Sequence, residues 1–326
     1  MTEALYPLLF EPVYRDYLWG GGRIPARFQR PPRAGTSAES WEIADRPDGM
    51  SIVRNGPLRG ASLRELVGRF GPALLGAAAA GNRFPLLIKI IDAGQNLSVQ
   101  VHPDERGAAR GGGEPKTEMW YTLDAAPGAR VFAGFLPGTT RAAFAAALAE
   151  QRVETALRAI PLRRGDALYI PGGRVHAIGA GCLLLEVQQN SDTTFRLYDW
   201  GRLAADGRPR PLHLDQALQA IAWDDDAAAL ETPTALEQAG QNTVWRILRR
   251  PAFEVRRLDL AQPYEAAHEG RSFQALFVAA GVVEVAAGGR AERLPPGASC
   301  LLGAALSRYR LAPAGGPCQV LCASLP

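Results

Sequence analysis

A mainly β protein with helical insertions and a second, smaller β domain is what the sequence predicts, and three observations carry it. Short runs rich in β-branched, aromatic and leucine residues recur through the middle of the chain, each closed by Gly, Pro or Asp. Only three segments have helical apolar spacing. Beyond an acidic stretch at 224–241, strand-like runs begin again. A chain of 326 residues fits two domains at about 150 residues each, and the boundary is set at 232/233.

In order, strands are expected over Phe84–Asp92, Leu97–His102, Met119–Leu123, Arg130–Phe135, Ala167–Pro171 and Cys182–Gln188, then over Val244–Leu260, Phe273–Val285 and Cys300–Leu302. Ser62 and Glu65 form a capping box that opens a helix running toward Ala80. Thr140–Ala159 and Leu214–Trp223 supply the other two helices, with the arginines of 152–164 on a solvated helix face. The acidic stretch Asp224–Gln241 reads as a linker.

Composition excludes several classes. Hydrophobic residues make up 47% and charged residues 21%, so disorder is not the main state. A formal charge of +3 is too weak to imply nucleic acid or an anionic membrane as partner; any anionic ligand is small and locally bound. No basic segment followed by an apolar stretch opens the sequence, and no apolar run reaches the length of a membrane span. The four cysteines, Cys182, Cys300, Cys318 and Cys322, are too sparse for a disulfide framework and fit a reducing cytoplasm; Cys318 and Cys322 read as buried thiols in a strand. Oligomeric state leaves no mark in the sequence, and a monomer suffices.

Among 36 basic residues only Lys89 and Lys116 are lysine. In an arginine-biased chain, lysine is expected to persist where a compact, titratable ammonium is needed.

Chemistry gathers around two of the four histidines. In Asn96-Leu-Ser-Val-Gln-Val-His-Pro103, strand alternation puts Ser98, Gln100 and His102 on one face. Glu114-Pro-Lys-Thr-Glu118 opens the next strand, and Gly165-Asp-Ala-Leu-Tyr-Ile-Pro-Gly-Gly-Arg-Val-His176 reads as a strand, a glycine turn and a histidine beginning the returning strand. Gln100, His102, Glu118 and His176 form a mixed oxygen and nitrogen donor set. Two imidazoles and one carboxylate suit a catalytic zinc, with an amide or water completing the shell. Gly111–Thr117 is not a phosphate loop, because Pro115 has no amide hydrogen and a required glycine is missing.

The segment Gly165–His176 resembles the second cupin motif, and Leu-Ser-Val-Gln-Val-His-Pro followed by Lys-Thr-Glu resembles the metal-binding signature of type I mannose-6-phosphate isomerases in their short bacterial form. The resemblance extends to Glu11–Gly21, Glu39–Gly49 and Gln189–Asp199. It implies a cupin catalytic domain, a degenerate cupin-like C-terminal domain, and conversion of mannose 6-phosphate to fructose 6-phosphate through a cis-enediol. One zinc per chain would be held by Gln100, His102, Glu118 and His176. Arg196 falls at the family's catalytic arginine, Arg202 at a basic residue that helps hold the substrate phosphate, and Glu186 where an acidic residue has been proposed for proton transfer. Lys116 could polarise the substrate, and Ser98 shares the pocket face. The middle residue of the family's Lys-Pro-Glu is Thr117 here. A noncatalytic sugar-binding cupin and an iron dioxygenase are the competing classes; the latter usually carries His-x-His where this chain has Gln100-Val-His102.

Overall fold

The computed structural model describes residues 4–79, 81–204, 206–225 and 227–326. It divides into two compact units, one made of residues 1–13, 41–88 and 232–326, the other of residues 14–40 and 89–231. The mainly β class expected from the sequence is what the chain adopts, and its sheets build the cupin sandwich.

The second unit carries the histidine motifs. One six-stranded sheet runs in the order Val13–Arg15, Glu39–Ile43, Leu86–Asp92, Cys182–Gln189, Glu118–Ala125, Ala167–Ile170. A five-stranded sheet runs Phe195–Tyr198, Val99–Val101, His176–Ile178, Arg130–Phe135, Leu157–Pro161. Ile91, Trp120, Leu168, Ile170 and Leu184 from the first meet Val131, Ala133, Ile160 and Ile178 from the second in one buried cluster. Fully burying each such aliphatic side chain contributes about 1.5 to 3 kcal/mol before chain entropy is charged against it.

Period-two alternation decides which residues reach the interior. Val99 and Val101 are fully buried among Phe132, Phe144, Val175 and Leu197, which turns Ser98, Gln100 and His102 to the other face. At the strand entrance, Gly173 holds a positive φ of 90°, and a Cβ there would lie 2.9 Å from that of Ala222. Its neighbour Gly172 has no such φ, but a Cβ on it would lie 2.6 Å from the Asp104 Cα. Both positions of the turn before His176 therefore require glycine.

Helices are shorter than the sequence suggests. The capping box at Ser62 and Glu65 is present, yet its helix ends at Phe70, since Gly71 caps it and Pro72 starts a separate turn over Pro72–Leu75. Ala80, the expected end, lies outside the described residues. Thr140 caps a helix over Arg141–Ala149 only. Gln151 adopts φ 56°, a left-handed conformation that ends helical propagation, and the chain continues as a 3-10 turn over Val153–Ala156 and an edge strand over Leu157–Pro161. The arginines of 152–164 are thus not a helix face. The third helix covers Leu214–Ala220. The expected linker is also structured: Asp225 is paired with a buried arginine and Thr234–Ala239 forms a strand; Asp226 lies outside the described residues.

In the first unit, a six-stranded and a four-stranded sheet enclose a cluster that includes Leu258, Leu276, Val278, Val285, Leu311 and Val320. Cys318 and Cys322 lie on the strand Cys318–Ser324, and all four cysteines are free and buried. The expected Val244–Leu260 run resolves into two antiparallel strands, and the Phe273–Val285 run into two strands of different sheets. Among the described residues no helix is long and apolar enough to cross a membrane.

Candidate metal centre

Strand register assembles the site. Gln100 lies opposite His176 on one side and Arg196 on the other, so the three side chains share a face of the five-stranded sheet. Across the sandwich, Glu118 is in register with Gln188 and with Ile170, and Trp120 with Glu186.

His102, Glu118 and His176 converge with ligand atoms all within 4.8 Å of one another, and all three side chains are buried. The His102 Nε2 lies 3.3 Å from Glu118 Oε2, and the His176 Nε2 lies 3.4 Å from Glu118 Oε1. Main-chain carbonyls set both rings. His102 Nδ1 is 2.8 Å from the Thr193 oxygen and His176 Nδ1 is 2.9 Å from the Arg174 oxygen, so each Nδ1 carries the proton and each Nε2 presents a lone pair to the carboxylate. Gln100 Nε2 lies 3.3 Å from His176 Nε2, and Ser98 Oγ donates to Gln100 Oε1 at 3.2 Å.

That arrangement faces lone pairs with lone pairs. His102 Nε2 and Glu118 Oε2 are buried without a hydrogen-bond partner, a costly condition unless a cation sits among them. Burial, reinforced by the Lys116 charge, drops the His102 imidazolium to about 3, and His176 is lowered by burial as well. Burial opposes ionisation of Glu118, but Lys116 and the histidines outweigh it and hold its carboxyl well below the usual range. Neutral imidazoles beside an ionised carboxylate are the protonation state that metal ligation requires. Lys116 Nζ stands 3.3 Å from Glu118 Oε2.

Glu186, in register with Trp120, is buried and paired with Lys89. Lys89 Nζ lies 3.0 Å from Glu186 Oε1 and 3.5 Å from Glu39 Oε1, while Trp120 Nε1 donates to Glu186 Oε2 at 2.8 Å. Burial and the Glu118 charge raise the Glu186 pKa; Lys89, though disfavoured by burial, is raised by Glu186 and Glu39. Both lysines sit in this buried charged row; the lysine bias alone gave Lys89 no role because its partner Glu39 is 50 residues away.

Arg196 and Arg202 are placed differently from each other. Arg196 shares the face of Gln100, its Nη1 donates to the Pro211 oxygen at 2.8 Å, and its Nε is buried without a partner. It makes no salt bridge to Asp199, whose carboxylate is taken by Arg202 and Arg210 at 2.5 Å each. Arg202 also donates to the Asn96 oxygen at 2.5 Å. Three guanidiniums around one carboxylate leave an excess of positive charge; burial and the Arg210 charge lower the Arg196 pKa.

Comparison with known proteins follows the same line. Residues 8–129 match the model of the phosphomannose isomerase type I catalytic domain. Mannose-6-phosphate isomerase ManA of Bacillus subtilis is 42% identical over 217 residues, 66% of this chain and 68% of that protein. A mannose-6-phosphate isomerase of Streptococcus mutans is 37% identical over 73% of this chain and 74% of its own. The crystal structure of the mannose 6-phosphate isomerase from Bacillus subtilis superposes with a TM-score of 0.88 at 29% identity, covering 98% of this chain and 99% of that one. The chain belongs to the type I phosphomannose isomerase family.

Proposed function

We propose that this chain interconverts mannose 6-phosphate and fructose 6-phosphate in the cytoplasm, with one zinc held by Gln100, His102, Glu118 and His176. The observation that carries the metal is the approach, at 3.3 Å, of two buried acceptor atoms that make no hydrogen bond, His102 Nε2 and Glu118 Oε2. The donor chemistry fits zinc, and ligation by Gln100 needs only its amide oxygen turned inward. When bound, zinc supplies Lewis-acid polarisation of the substrate oxygens.

The remaining work falls to the chain. Isomerisation moves a proton between C1 and C2 through a cis-enediol, and the proton leaving carbon is weakly acidic. A general base near those carbons is required; Glu186 is the candidate, its pKa raised by burial toward the range where it can both take and return a proton. Arg196, with an unspent buried N–H, steadies negative charge on the enediolate. Lys116 donates toward substrate oxygens beside Glu118. The excess positive charge of Arg196, Arg202 and Arg210 receives the phosphate, with Ser98 at the same face.

The reaction is tested by incubating the purified protein with mannose 6-phosphate and following fructose 6-phosphate through coupling enzymes. Turnover is expected; tight sugar-phosphate binding without product would instead make this a noncatalytic binding protein.

Two variants test the roles of the basic groups. Lys116→Arg keeps the charge but substitutes a larger, planar group that does not lose its proton, and turnover should fall by roughly tenfold or more; Arg158→Lys on the edge strand is the control and should change little. Arg202→Ala should raise KM for mannose 6-phosphate by about tenfold, as expected for one charge-assisted contact that the phosphate shares with Asp199, and leave any turnover of unphosphorylated mannose unchanged. Equal effects on both sugars would move the phosphate site elsewhere.

A further inference from the structure

We propose that Arg174 is a positioning residue for the metal centre: its main-chain carbonyl aims the His176 ring, and its guanidinium, locked by Asp225, fixes that carbonyl. The inference rests on the metal reading above.

Arg174 lies two residues before His176 in the glycine turn, and its carbonyl oxygen accepts the His176 Nδ1 proton at 2.9 Å. That bond decides which ring nitrogen faces Glu118. A carbonyl that follows two consecutive glycines, Gly172 and Gly173, has little intrinsic hold on its direction, so something must supply it. The guanidinium does. Its Nε and Nη2 meet Asp225 Oδ2 and Oδ1 at 2.6 and 2.7 Å, a bidentate fork, while Nη1 donates to the Tyr169 oxygen at 2.9 Å and Nη2 to the Ala227 oxygen at 3.1 Å. The Arg174 side chain is 2% exposed and that of Asp225 13%.

A buried ion pair is poor value as a source of stability, since desolvation cancels much of its attraction and apolar residues of equal volume would pack as well. What the fork provides is direction: a planar group with its donors anchored on both sides of the turn cannot rotate. The same turn also reaches the other histidine, because Gly173 N donates to the His102 oxygen at 2.8 Å and accepts at its own oxygen from Ala222 N at 2.9 Å. A disturbance at Arg174 is thus felt first at His176 and second at His102. The carbonyl survives any substitution of Arg174, so a variant alters the aim of the acceptor without deleting it.

The test uses the full chain with Arg174→Met and Asp225→Asn. Zinc affinity is read by competition with a chromogenic chelator, and the His176 tautomer by imidazole nitrogen NMR of the zinc-free protein. Arg174→Met should weaken zinc about 10- to 100-fold, the usual effect of losing a group that orients a ligand, and convert His176 from the Nδ1-protonated form to a mixture. Asp225→Asn keeps the shape of the fork and should shift both readouts in the same direction by less. Should Arg174→Met not fold, Asp225→Asn decides alone. Zinc affinity within twofold of the parent together with an unchanged His176 tautomer would reduce Arg174 to a clamp on the 225–227 segment and overturn the proposal. A parent that takes up no zinc while the variants still scramble the tautomer would sink the metal reading and leave the positioning role standing.

Discussion

Replacing His102 by alanine should empty the metal site and lower turnover by about 1,000-fold, the equivalent of roughly 4 kcal/mol of lost transition-state stabilisation, with the fold intact. The fold should persist because the ring contributes one contact to a sandwich whose core is carried by the aliphatic residues between its sheets. The metal should go because only one imidazole, His176, then remains with Glu118 and Gln100 to hold it. Metal analysis of the purified variant checks the first half, and circular dichroism the second. Acid has a defined signature as well. With the His102 imidazolium lowered to about 3, protons should not compete with zinc for this nitrogen between pH 8 and pH 5. The zinc-free protein behaves otherwise. His102 ionises near its usual 6.5 when unfolded and only near 3 when folded, so the unfolded chain binds the extra proton. This contribution to stability is complete above about pH 6.5 and is lost as pH falls toward 3.

The second large effect is expected at Glu186. Glu186→Gln keeps an acceptor for Trp120 Nε1 but removes the charge that pairs with Lys89 at 3.0 Å. A proton carrier lost in this way should cost turnover about 100-fold or more, while zinc content and KM stay close to the parent. A carboxylate that only pairs with Lys89 should act on stability instead, since breaking a buried pair commonly costs several kcal/mol, although Glu39 at 3.5 Å would retain part of the compensation. Heavy water separates the two outcomes further. Base-mediated transfer from fructose 6-phosphate should leave deuterium at C2 of the mannose 6-phosphate formed, and the Gln variant should slow that exchange together with turnover. Normal turnover with unchanged deuterium uptake would pass the role to Lys116 or to a solvent molecule.

The sequence made the four proposed metal ligands legible because their positions follow from rules that act over a few residues. Alternation along Val99–Val101 brings Gln100 and His102 to one face, and the glycine turn delivers His176 to the neighbouring strand, where it pairs with Gln100. The parts it hid are those made by main-chain atoms or by distant partners. The carbonyls of Thr193 and Arg174 that fix the two rings have no side-chain signature, and the fork between Arg174 and Asp225 joins positions 51 residues apart. Glu186 is a lone charge in the apolar run Cys182–Val187, but the strand order that sets it beside Lys89 is not legible there. Alanine-rich periodicity exaggerated the helix after Thr140, since apolar spacing does not register the left-handed Gln151 that ends it. The acidic run after Trp223 looked like a linker because its composition is polar, while the buried guanidinium that claims Asp225 lies in a different motif.

A zinc-dependent isomerase should lose its activity on chelation and regain it when zinc is returned. The purified protein is stripped with a strong chelator, dialysed, and assayed for fructose 6-phosphate formation from mannose 6-phosphate before and after one equivalent of zinc per chain. Turnover should be lost on stripping and recover fully at one equivalent, with His102→Ala unresponsive to added zinc. Undiminished turnover in protein shown by elemental analysis to be free of metal would contradict it.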